Sequence, residues 1–347
     1  MMAANFATTP DLDRAADALV DYMSTKAGDS VVITVDTDTD ARAIDAIFRR
    51  VQAVQARAVI LTMPRLPYQG ALADPYVPPA VGPAVKNCDV WIDLTFPYMA
   101  GCRVHDEATR EGGTAKYLLG GDMGSAGLFR LFGAVNLDKY FELLRPFEKA
   151  LTSLKGHDVR ITDRLGSDVT FKLAEPPFGK PRRADKAGTF LVPGSCTMFP
   201  DLESVKGTLK FAAIFHEYFT TLSEPLTVHV DGKIREIEGG GADRLLLDRA
   251  LRRAGGGEYG FVIHFTYGMN PGARATGHSF IEDSRVMGNN AVGMGLPWWM
   301  PGGGENHPDA VLSKQSIWID GEQLVRDGLP IAKNLIEAAK GLVPLPH

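Results

Sequence analysis

The chain has 347 residues, of which 45% are hydrophobic and 23% charged, and its formal net charge is −5. The length predicts about two domains, and the composition excludes a disordered chain, a coiled coil and a collagen-like fibre. A mildly acidic chain without an apolar run of about 18 to 20 residues offers no footprint for nucleic acid and no membrane span, so neither partner is expected.

Residues 1–150 alternate short apolar runs with amphipathic stretches. Four runs are apolar throughout and predict buried strands: VVITV at 31–35, AVILT at 58–62, VWIDL at 90–94 and KYLLG at 116–120. The segments between them predict helices at 39–54, 79–87 and 104–112. Buried strands separated by helices are typical of a parallel sheet covered on both faces. We therefore predict an α/β domain with a doubly wound parallel sheet over residues 1–150.

After a predicted bridging helix at 136–154, the pattern changes to short strands joined by Gly, Pro and Asp turns. The predicted strands are 159–163, 169–173, 188–192, 207–211, a hairpin at 226–240, 259–268 and a pair within 316–325, with helices at 242–253 and 330–341. In the hairpin, Asp231-Gly232 predicts a type I′ turn. Residues 151–347 are therefore predicted to form an α+β, largely antiparallel domain.

Cysteine usage and the N-terminus bear on the cellular compartment. Cys88, Cys102 and Cys196 are odd in number and form no CxxC pair, so a disulfide framework is not expected. The first 23 residues lack the basic start and apolar core of a secretory signal. Both observations favour a reducing cytoplasm.

Side chains that can bind a metal concentrate in the last third of the chain. His264 interrupts the apolar strand FVIHF, and His278 lies in the loop TGHSFIED. His307 and Asp309 are two residues apart, so in an extended segment both point to one face and can reach one cation. The alternatives are a core histidine at 264, a loop histidine at 278 and an ordinary His-Pro-Asp surface turn.

Two histidines and one carboxylate are the ligand set that suits a non-haem Fe(II) centre with open positions, although Zn or Mn fits the same three groups. A ferrous ion with open positions can bind a hydroxylated aromatic ring and O₂ side by side. The candidates for the wall of such an aromatic pocket are Phe96, Tyr98, Tyr267, Trp298 and Trp299, and core packing is the alternative for each.

These residues resemble those of a known family. HFTYGMNP at 264–271 is similar to the H-x-x-[WY]-G-x-[NQ]-P segment of bacterial 2,5-dihydroxypyridine 5,6-dioxygenases, and NHPD at 306–309 sits where those enzymes carry H-x-D. DSRVMGNNAVGMG at 283–295 resembles their D-x-R…G-N…G stretch. These dioxygenases share their fold with the aminopeptidase T metallopeptidases. The resemblance therefore implies an α/β N-terminal domain and a metal-bearing C-terminal domain.

The resemblance also implies site residues and a cofactor. One ferrous ion per chain would be held by His264, His307 and Asp309, and His105 in CRVHDEATREG matches the family's general base if a short gap is allowed. Substrate-binding residues would be Tyr267, His278 and Trp298, of which His278 is an alternative proton carrier. The partners implied are a small aromatic substrate, O₂ and further copies of the chain in a homo-oligomer.

Departures from the family pattern widen the range of substrates. A family serine near the metal falls at Gly293, and a substrate-facing histidine falls at Phe190. The substrate is therefore either 2,5-dihydroxypyridine-like or a related hydroxylated N-heteroaromatic or phenolic ring. In the peptidase relatives a glutamate matches Glu203, but His264 replaces another ligand and Gly293 falls where a histidine stands. These losses argue against a two-metal site.

The leading hypothesis is an Fe(II)-dependent, extradiol-type ring-cleaving dioxygenase. The first alternative is a metal-dependent hydrolase, either an aminopeptidase or an amidase, on the same fold. The second is a non-catalytic metal-binding or scaffold protein. The three differ in O₂ consumption, in release of an amine and in the number of metal ions per chain.

Overall fold

The computed structural model describes residues 8–110, 112–177, 183–303 and 307–346. The chain forms two compact units. Of the described residues, the first unit contains 8–137, 183–193 and 344–346, and the second contains 138–177 and the remainder from 194 to 343. The sequence-based division lies at residue 150, whereas here the chain leaves the first unit at 137 and later returns to it for 183–193.

The secondary structure is numbered along the chain. The strands are β1 Ser30–Asp36, β2 Arg57–Met63, β3 Val90–Asp93, β4 Lys116–Leu119, β5 Asp158–Thr162, β6 Asp168–Lys172, β7 Gly188–Leu191, β8 Ser195–Met198, β9 Lys206–Phe215, β10 Phe219–Asp231, β11 Lys233–Gly239, β12 Phe261–Gly268, β13 Asn290–Gly295, β14 Asp309–Leu312, β15 Ser316–Ile319, β16 Glu322–Arg326 and β17 Leu329–Pro330. The helices are α1 Thr9–Tyr22, α2 Ala41–Ala53, α3 Val81–Lys86, α4 Arg103–Thr109, α5 Ser125–Leu128, α6 Leu137–Leu151, α7 Asp243–Ala254, α8 Phe280–Asp283 and α9 Lys333–Gly341.

The first unit is built on a parallel sheet in the order β2-β1-β3-β4-β7. β1 and β3 are buried along almost their whole length, as expected for central strands covered on both faces. Helix α1 was not predicted, although its start carries a capping box in which Thr8 and Asp11 satisfy each other's backbone N–H groups. The predicted parallel α/β sheet is confirmed.

The second unit is built on a large antiparallel sheet. Its main path among the described residues is β17-β16-β15-β5-β6-β9-β14-β13-β12-β8, with β10 and β11 branching from β9. The predicted largely antiparallel second half is therefore confirmed. Residues 188–192 were predicted within this half, which is wrong, because β7 pairs in parallel with β4 in the first unit.

The predicted hairpin at 226–240 forms from β10 and β11, but its turn differs from the prediction. Asp231 pairs with Lys233, and only Gly232 between them has a positive φ, of 69°. A type I′ turn requires positive φ at both central residues. That turn occurs instead between β15 and β16, where φ is 49° at Asp320 and 83° at Gly321.

Two further features concern the cysteines and the character of the helices. Cys88, Cys102 and Cys196 are free and buried. Across the part of the chain that the structure describes, no helix combines the length and the apolar character needed to cross a bilayer.

Candidate metal centre and active site

The centre of the second unit's sheet aligns three residues in one row. His264 on β12 lies opposite Gly293 on β13, and Gly293 lies opposite Asp309 on β14. Directly opposed residues of an antiparallel sheet project to the same face. The side chains of His264 and Asp309 therefore extend on one face from two strands that flank the glycine.

His307 lies two residues before Asp309, and the structure brings both side chains to His264. Nε2 of His264 is 3.4 Å from Nε2 of His307 and 3.5 Å from Oδ1 of Asp309. Nε2 of His307 is 3.6 Å from Oδ2 of Asp309. All three residues are buried. The spacing rule that predicted a shared face for His307 and Asp309 therefore agrees with the geometry.

The three groups fit a metal ion. First-row metals bind imidazole nitrogen and carboxylate oxygen at about 2.0 to 2.2 Å, which places neighbouring ligand atoms about 3.0 to 3.5 Å apart. The two Nε2 atoms are 3.4 Å apart, and the carboxylate approaches them through different oxygens, Oδ1 towards His264 and Oδ2 towards His307. Among the described residues, these three form the single group of at least three His, Cys, Asp or Glu side chains whose ligand atoms lie within 4.8 Å of one another. The donor set suits one ion with positions left open.

The surroundings of His264 keep its ring neutral and oriented. Burial and the neighbouring His307 lower the pKa of His264 to about 3, and a hydrogen bond to the backbone of Ala291 opposes this shift. Oγ1 of Thr266 lies 3.2 Å from Nδ1 of His264 and 3.0 Å from Oγ1 of Thr197. A neutral imidazole fixed through its second nitrogen is the form that binds metals. Sequence reasoning missed both threonines, although Thr266 is two residues from His264 and shares its face.

Trp298 is the one predicted substrate-binding residue that the structure brings to these ligands. Its ring stacks on His307, with centroids 5.2 Å apart and planes 14° apart, and it meets His264 edge-on at 6.0 Å. Trp299 and Phe199 pack against Trp298 in turn, at centroid distances of 4.7 and 6.5 Å. These three rings form an aromatic cluster beside the ligands, of which sequence reasoning had not included Phe199.

Tyr267 does not contribute to this face, which corrects its predicted place in the pocket wall. It is three residues from His264 on the same strand, so the two side chains project to opposite faces. The Tyr267 ring stacks on Phe147, and its hydroxyl donates to the carbonyl of Gly328 at 3.0 Å. Burial raises the pKa of Tyr267 well above its usual value. The residue belongs to the core.

Two further candidates also lie apart from the three ligands. His278 is exposed on the loop before α8 and does not belong to the group of side chains whose ligand atoms lie within 4.8 Å of one another. Glu203, the position matched to a peptidase glutamate, is exposed in a short 3₁₀ turn after β8. The three residues directly before His307, at 304–306, lie outside the described part of the chain. They comprise the last glycine of the preceding glycine run, a glutamate and the first residue of the NHPD motif.

His105 lies in the first unit, on α4, and is buried. Its Nδ1 accepts a hydrogen bond from the backbone N–H of Gly101 at 3.1 Å, and its Nε2 lies 2.8 Å from Oγ1 of Thr189. The ring packs edge-on against Tyr117 at 4.7 Å. Phe190, where the family histidine was aligned, is the half-buried neighbour of Thr189 on β7. The role of His105 as a general base stays a prediction.

Comparison with known structures shows which proteins share this fold. The 2,5-dihydroxypyridine dioxygenase from Pseudomonas putida KT2440 matches with a TM-score of 0.71 and 17% identity, over 95% of this chain and 99% of that chain. Wild-type AmpT from Thermus thermophilus matches with a TM-score of 0.60 and 11% identity, over 93% of this chain and 99% of that chain. At these identities both similarities concern the fold. The predicted aminopeptidase T-like fold is therefore confirmed.

Comparison of sequences is more specific. No curated protein matches the chain significantly. The family model for 2,5-dihydroxypyridine 5,6-dioxygenase (NicX) matches residues 14–331, which is most of the chain and includes every residue of the candidate centre. This chain belongs to the 2,5-dihydroxypyridine 5,6-dioxygenase family and is a ring-cleaving dioxygenase.

Proposed function

We propose that the chain is an Fe(II)-dependent dioxygenase that opens a hydroxylated N-heteroaromatic ring of the 2,5-dihydroxypyridine class or a related phenolic ring. One ion per chain would be held by His264, His307 and Asp309. The observation that carries this proposal is the meeting of two imidazole nitrogens and one carboxylate within 3.4 to 3.6 Å in a buried place. Membership of a ring-cleaving dioxygenase family supports the metal's role.

The chemistry divides between the metal and the chain. When bound, ferrous iron supplies the electronic coupling between a hydroxylated ring and O₂ that the spin state of O₂ otherwise forbids. The chain's own part is to hold two neutral imidazoles and a carboxylate on one face, so that positions on the ion stay open for the ring and the gas. Stacking of Trp298 on His307 fixes the plane of that imidazole and excludes water from one side of the centre.

His105 is the proposed general base. Nδ1 of His105 lies 3.1 Å from the backbone nitrogen of Gly101 and 3.2 Å from Oδ1 of Asp106, and its Nε2 lies 2.8 Å from Oγ1 of Thr189. Both ring nitrogens are engaged, so a proton taken from a ring hydroxyl would reach the imidazole after one of these contacts rearranges. Trp298 is the residue proposed to contact the substrate. Tyr267 is not included because it lies in the core, and His278 is not included because it lies exposed on a loop.

Oxygen uptake by anaerobically iron-loaded protein tests the proposal directly. We expect O₂ consumption with dihydroxypyridines, a metal content near one ion per chain, and loss of both metal binding and turnover in His307→Ala and Asp309→Ala. Near-full activity in either variant would show that the site is wrongly assigned. Release of an amine from aminoacyl amides with Zn, Co or Mn, together with two ions per chain, would favour the hydrolase alternative.

Assembly and compartment complete the proposal. We propose a homo-oligomer, on the resemblance to oligomeric relatives, and light scattering coupled to gel filtration measures the subunit number. We propose a cytoplasmic location, which the three free buried cysteines support. Fractionation of cells that express the full chain tests it.

A further inference from the structure

β7, the strand that was predicted in the wrong sheet, carries a hydroxyl group to His105. β7 pairs in parallel with β4, and Thr189 lies opposite Tyr117 in that pairing. Residues at the same register of paired strands project to the same face of a sheet. Tyr117 in turn packs edge-on against the imidazole of His105 at 4.7 Å. The pairing of β7 with β4 therefore brings Thr189 to the face of the sheet that holds His105.

His105 and Thr189 differ in their exposure to solvent. His105 is 1% exposed, whereas Thr189 is exposed on β7, which ends the sheet. Nε2 of His105 lies 2.8 Å from Oγ1 of Thr189, and within the part of the chain that the structure describes this hydroxyl is the one polar partner of Nε2. The hydroxyl of Thr189 therefore lies between a buried imidazole and the surface.

The second ring nitrogen of His105 faces groups that can each act in one way only. Nδ1 lies 3.1 Å from the backbone nitrogen of Gly101 and 3.2 Å from Oδ1 of Asp106. A backbone N–H can only donate and an ionised carboxylate can only accept, so each of them suits one protonation state of Nδ1. A hydroxyl can donate or accept. Thr189 can therefore stay bonded to Nε2 whether or not that nitrogen carries a proton.

We propose that Thr189 is a positioning residue for His105: its hydroxyl holds Nε2 in both protonation states of the ring and makes Nε2 the nitrogen that exchanges protons with the surface. The exposed side chain of Thr189 is free to turn about its Cα–Cβ bond, whereas Nδ1 is enclosed by α4 and the loop before it. For catalysis the inference rests on the proposed role of His105 as general base. It names the contact that rearranges when the ring takes up a proton.

The other titratable groups beside the ring keep their charge near neutral pH. The hydrogen bond with His105 lowers the pKa of Asp106, burial opposes this shift, and Arg110 adds to it. Burial raises the pKa of Tyr117 well above its usual value, and its hydroxyl donates to Asp93 at 2.7 Å. A change in the titration of the imidazole on substitution of Thr189 therefore reports the hydroxyl of that residue.

The test compares variants of the full chain that differ in this hydroxyl. Thr189→Ser keeps it, and Thr189→Val removes it but keeps the branched shape that suits an exposed strand position. Thr170→Val, at an exposed threonine of β6 in the second unit, is the matched control. The imidazole signals of metal-free protein with isotope-labelled histidine are followed by NMR as the pH is varied, and His105→Gln identifies the signals of His105.

We expect the midpoint of the His105 titration to move to lower pH by about one pH unit in Thr189→Val, because the charged ring loses a stronger hydrogen bond than the neutral ring does. The midpoint should stay at the parent value in Thr189→Ser and in the control. O₂ uptake with dihydroxypyridines gives a second readout. There kcat/KM should fall about tenfold in Thr189→Val, a part of what a general base contributes, and should fall no further when that change is added to His105→Gln.

The outcomes separate this inference from the proposed function. A parent-like titration of His105 in Thr189→Val would overturn the inference, and so would an equal shift in Thr189→Ser. A further fall in kcat/KM when Thr189→Val is added to His105→Gln would show that Thr189 acts without His105, which also contradicts it. Parent-like turnover in His105→Gln, with the titration shifted in Thr189→Val, would overturn the general base and support Thr189 as the residue that holds Nε2.

Discussion

Each unit buries an aspartate beside its central strands, and the surroundings of the two differ. Asp93 ends β3 in the first unit and is completely buried. Its Oδ1 accepts from the hydroxyls of Thr34 and Thr95 at 2.9 and 2.7 Å, and its Oδ2 accepts from the N–H of Met99 and the hydroxyl of Tyr117 at 2.8 and 2.7 Å. Burial raises the pKa of Asp93, and these hydrogen bonds oppose the rise. This carboxylate is saturated by neutral donors.

Asp309 begins β14 in the second unit and faces two imidazoles instead. Its oxygens lie 3.5 and 3.6 Å from the Nε2 atoms of His264 and His307, which is beyond hydrogen-bond length. A carboxylate that binds neutral donors directly organises the backbone around it. A carboxylate whose oxygens lie about 3.5 Å from two imidazole nitrogens leaves room for a cation among the three groups. The comparison therefore supports a structural role for Asp93 and the proposed ligand role for Asp309.

Replacing either aspartate by asparagine tests this difference, and the largest effect is expected for Asp309→Asn. Asp309→Asn keeps the shape of the side chain but removes the negative charge that a divalent ion needs. We expect turnover to fall by at least about a thousandfold, with Fe(II) no longer retained through gel filtration. The free energy of unfolding of the metal-free protein should change little, as measured by urea denaturation. Retention of one tightly bound ion per chain would remove Asp309 from the ligand set.

Asp93→Asn is expected to do the reverse. An amide group keeps one oxygen as an acceptor but replaces the other oxygen by an NH₂ donor. This donor then faces an N–H or hydroxyl group whose hydrogen bond it cannot accept. Leaving buried groups unsatisfied costs about 2 to 4 kcal/mol here, by the usual penalty per group. Metal affinity of the folded fraction should equal that of the parent. An unchanged urea midpoint, or a loss of metal in the folded protein, would contradict the assignment.

The fold was largely predictable because its signals are local. Strands buried on both faces, such as β1 and β3, contain runs of β-branched and aromatic apolar residues that stand out in the sequence. β7 was placed in the wrong sheet because its residues alternate between half-buried and exposed, a pattern common to edge strands of either kind. Sequence determines that such a segment is extended, whereas its partner is chosen by tertiary packing.

The site was predictable only in part, for a related reason. Spacing alone predicted that His307 and Asp309 share a face, and the predicted strand 259–268 already implied that Tyr267 points away from His264. β13 was missed because NAVGMG carries two glycines and little strand propensity. Without β13, nothing in the sequence predicted that Gly293 lies opposite both His264 and Asp309. The contacts of Trp298 were equally invisible, since they depend on the path of a long loop.

His216 is another buried histidine of the second unit, and it makes the stability of the fold depend on pH. Burial, and then Arg249 and Arg253, lower the pKa of His216 to about 4, against 6.5 for an exposed histidine. As the pH falls below 6.5 the unfolded chain gains a proton that the folded chain refuses, so stability falls until the pH reaches about 4 and is then constant. Between pH 7 and 5 this costs about 2 kcal/mol.

His216→Gln tests that sign. The variant should lose about 2 kcal/mol less than the parent between pH 7 and 5, as measured by urea denaturation of both proteins without metal. Nδ1 of His216 lies 2.7 Å from Oε2 of Glu217 and 2.8 Å from its backbone nitrogen, and the glutamine side chain carries both a donor and an acceptor for these contacts. Equal pH profiles would show that the imidazole is protonated alike in the folded and unfolded chains. Since His216 is not among the proposed ligands, metal content at pH 7 should not change.

The smallest effect expected comes from the hydroxyl pair behind His264. Thr266→Val removes the group 3.2 Å from Nδ1 without changing the shape of the side chain, so metal affinity should fall about tenfold, the lower end of what such supporting contacts contribute. Thr197→Val removes a hydroxyl that reaches the imidazole only through Thr266, and should weaken binding less. Competition with a chelator measures both. If metal affinity falls more in Thr197→Val than in Thr266→Val, the effect does not follow distance from the imidazole of His264. The hydroxyl pair would then serve to join β8 to β12 and not to orient His264.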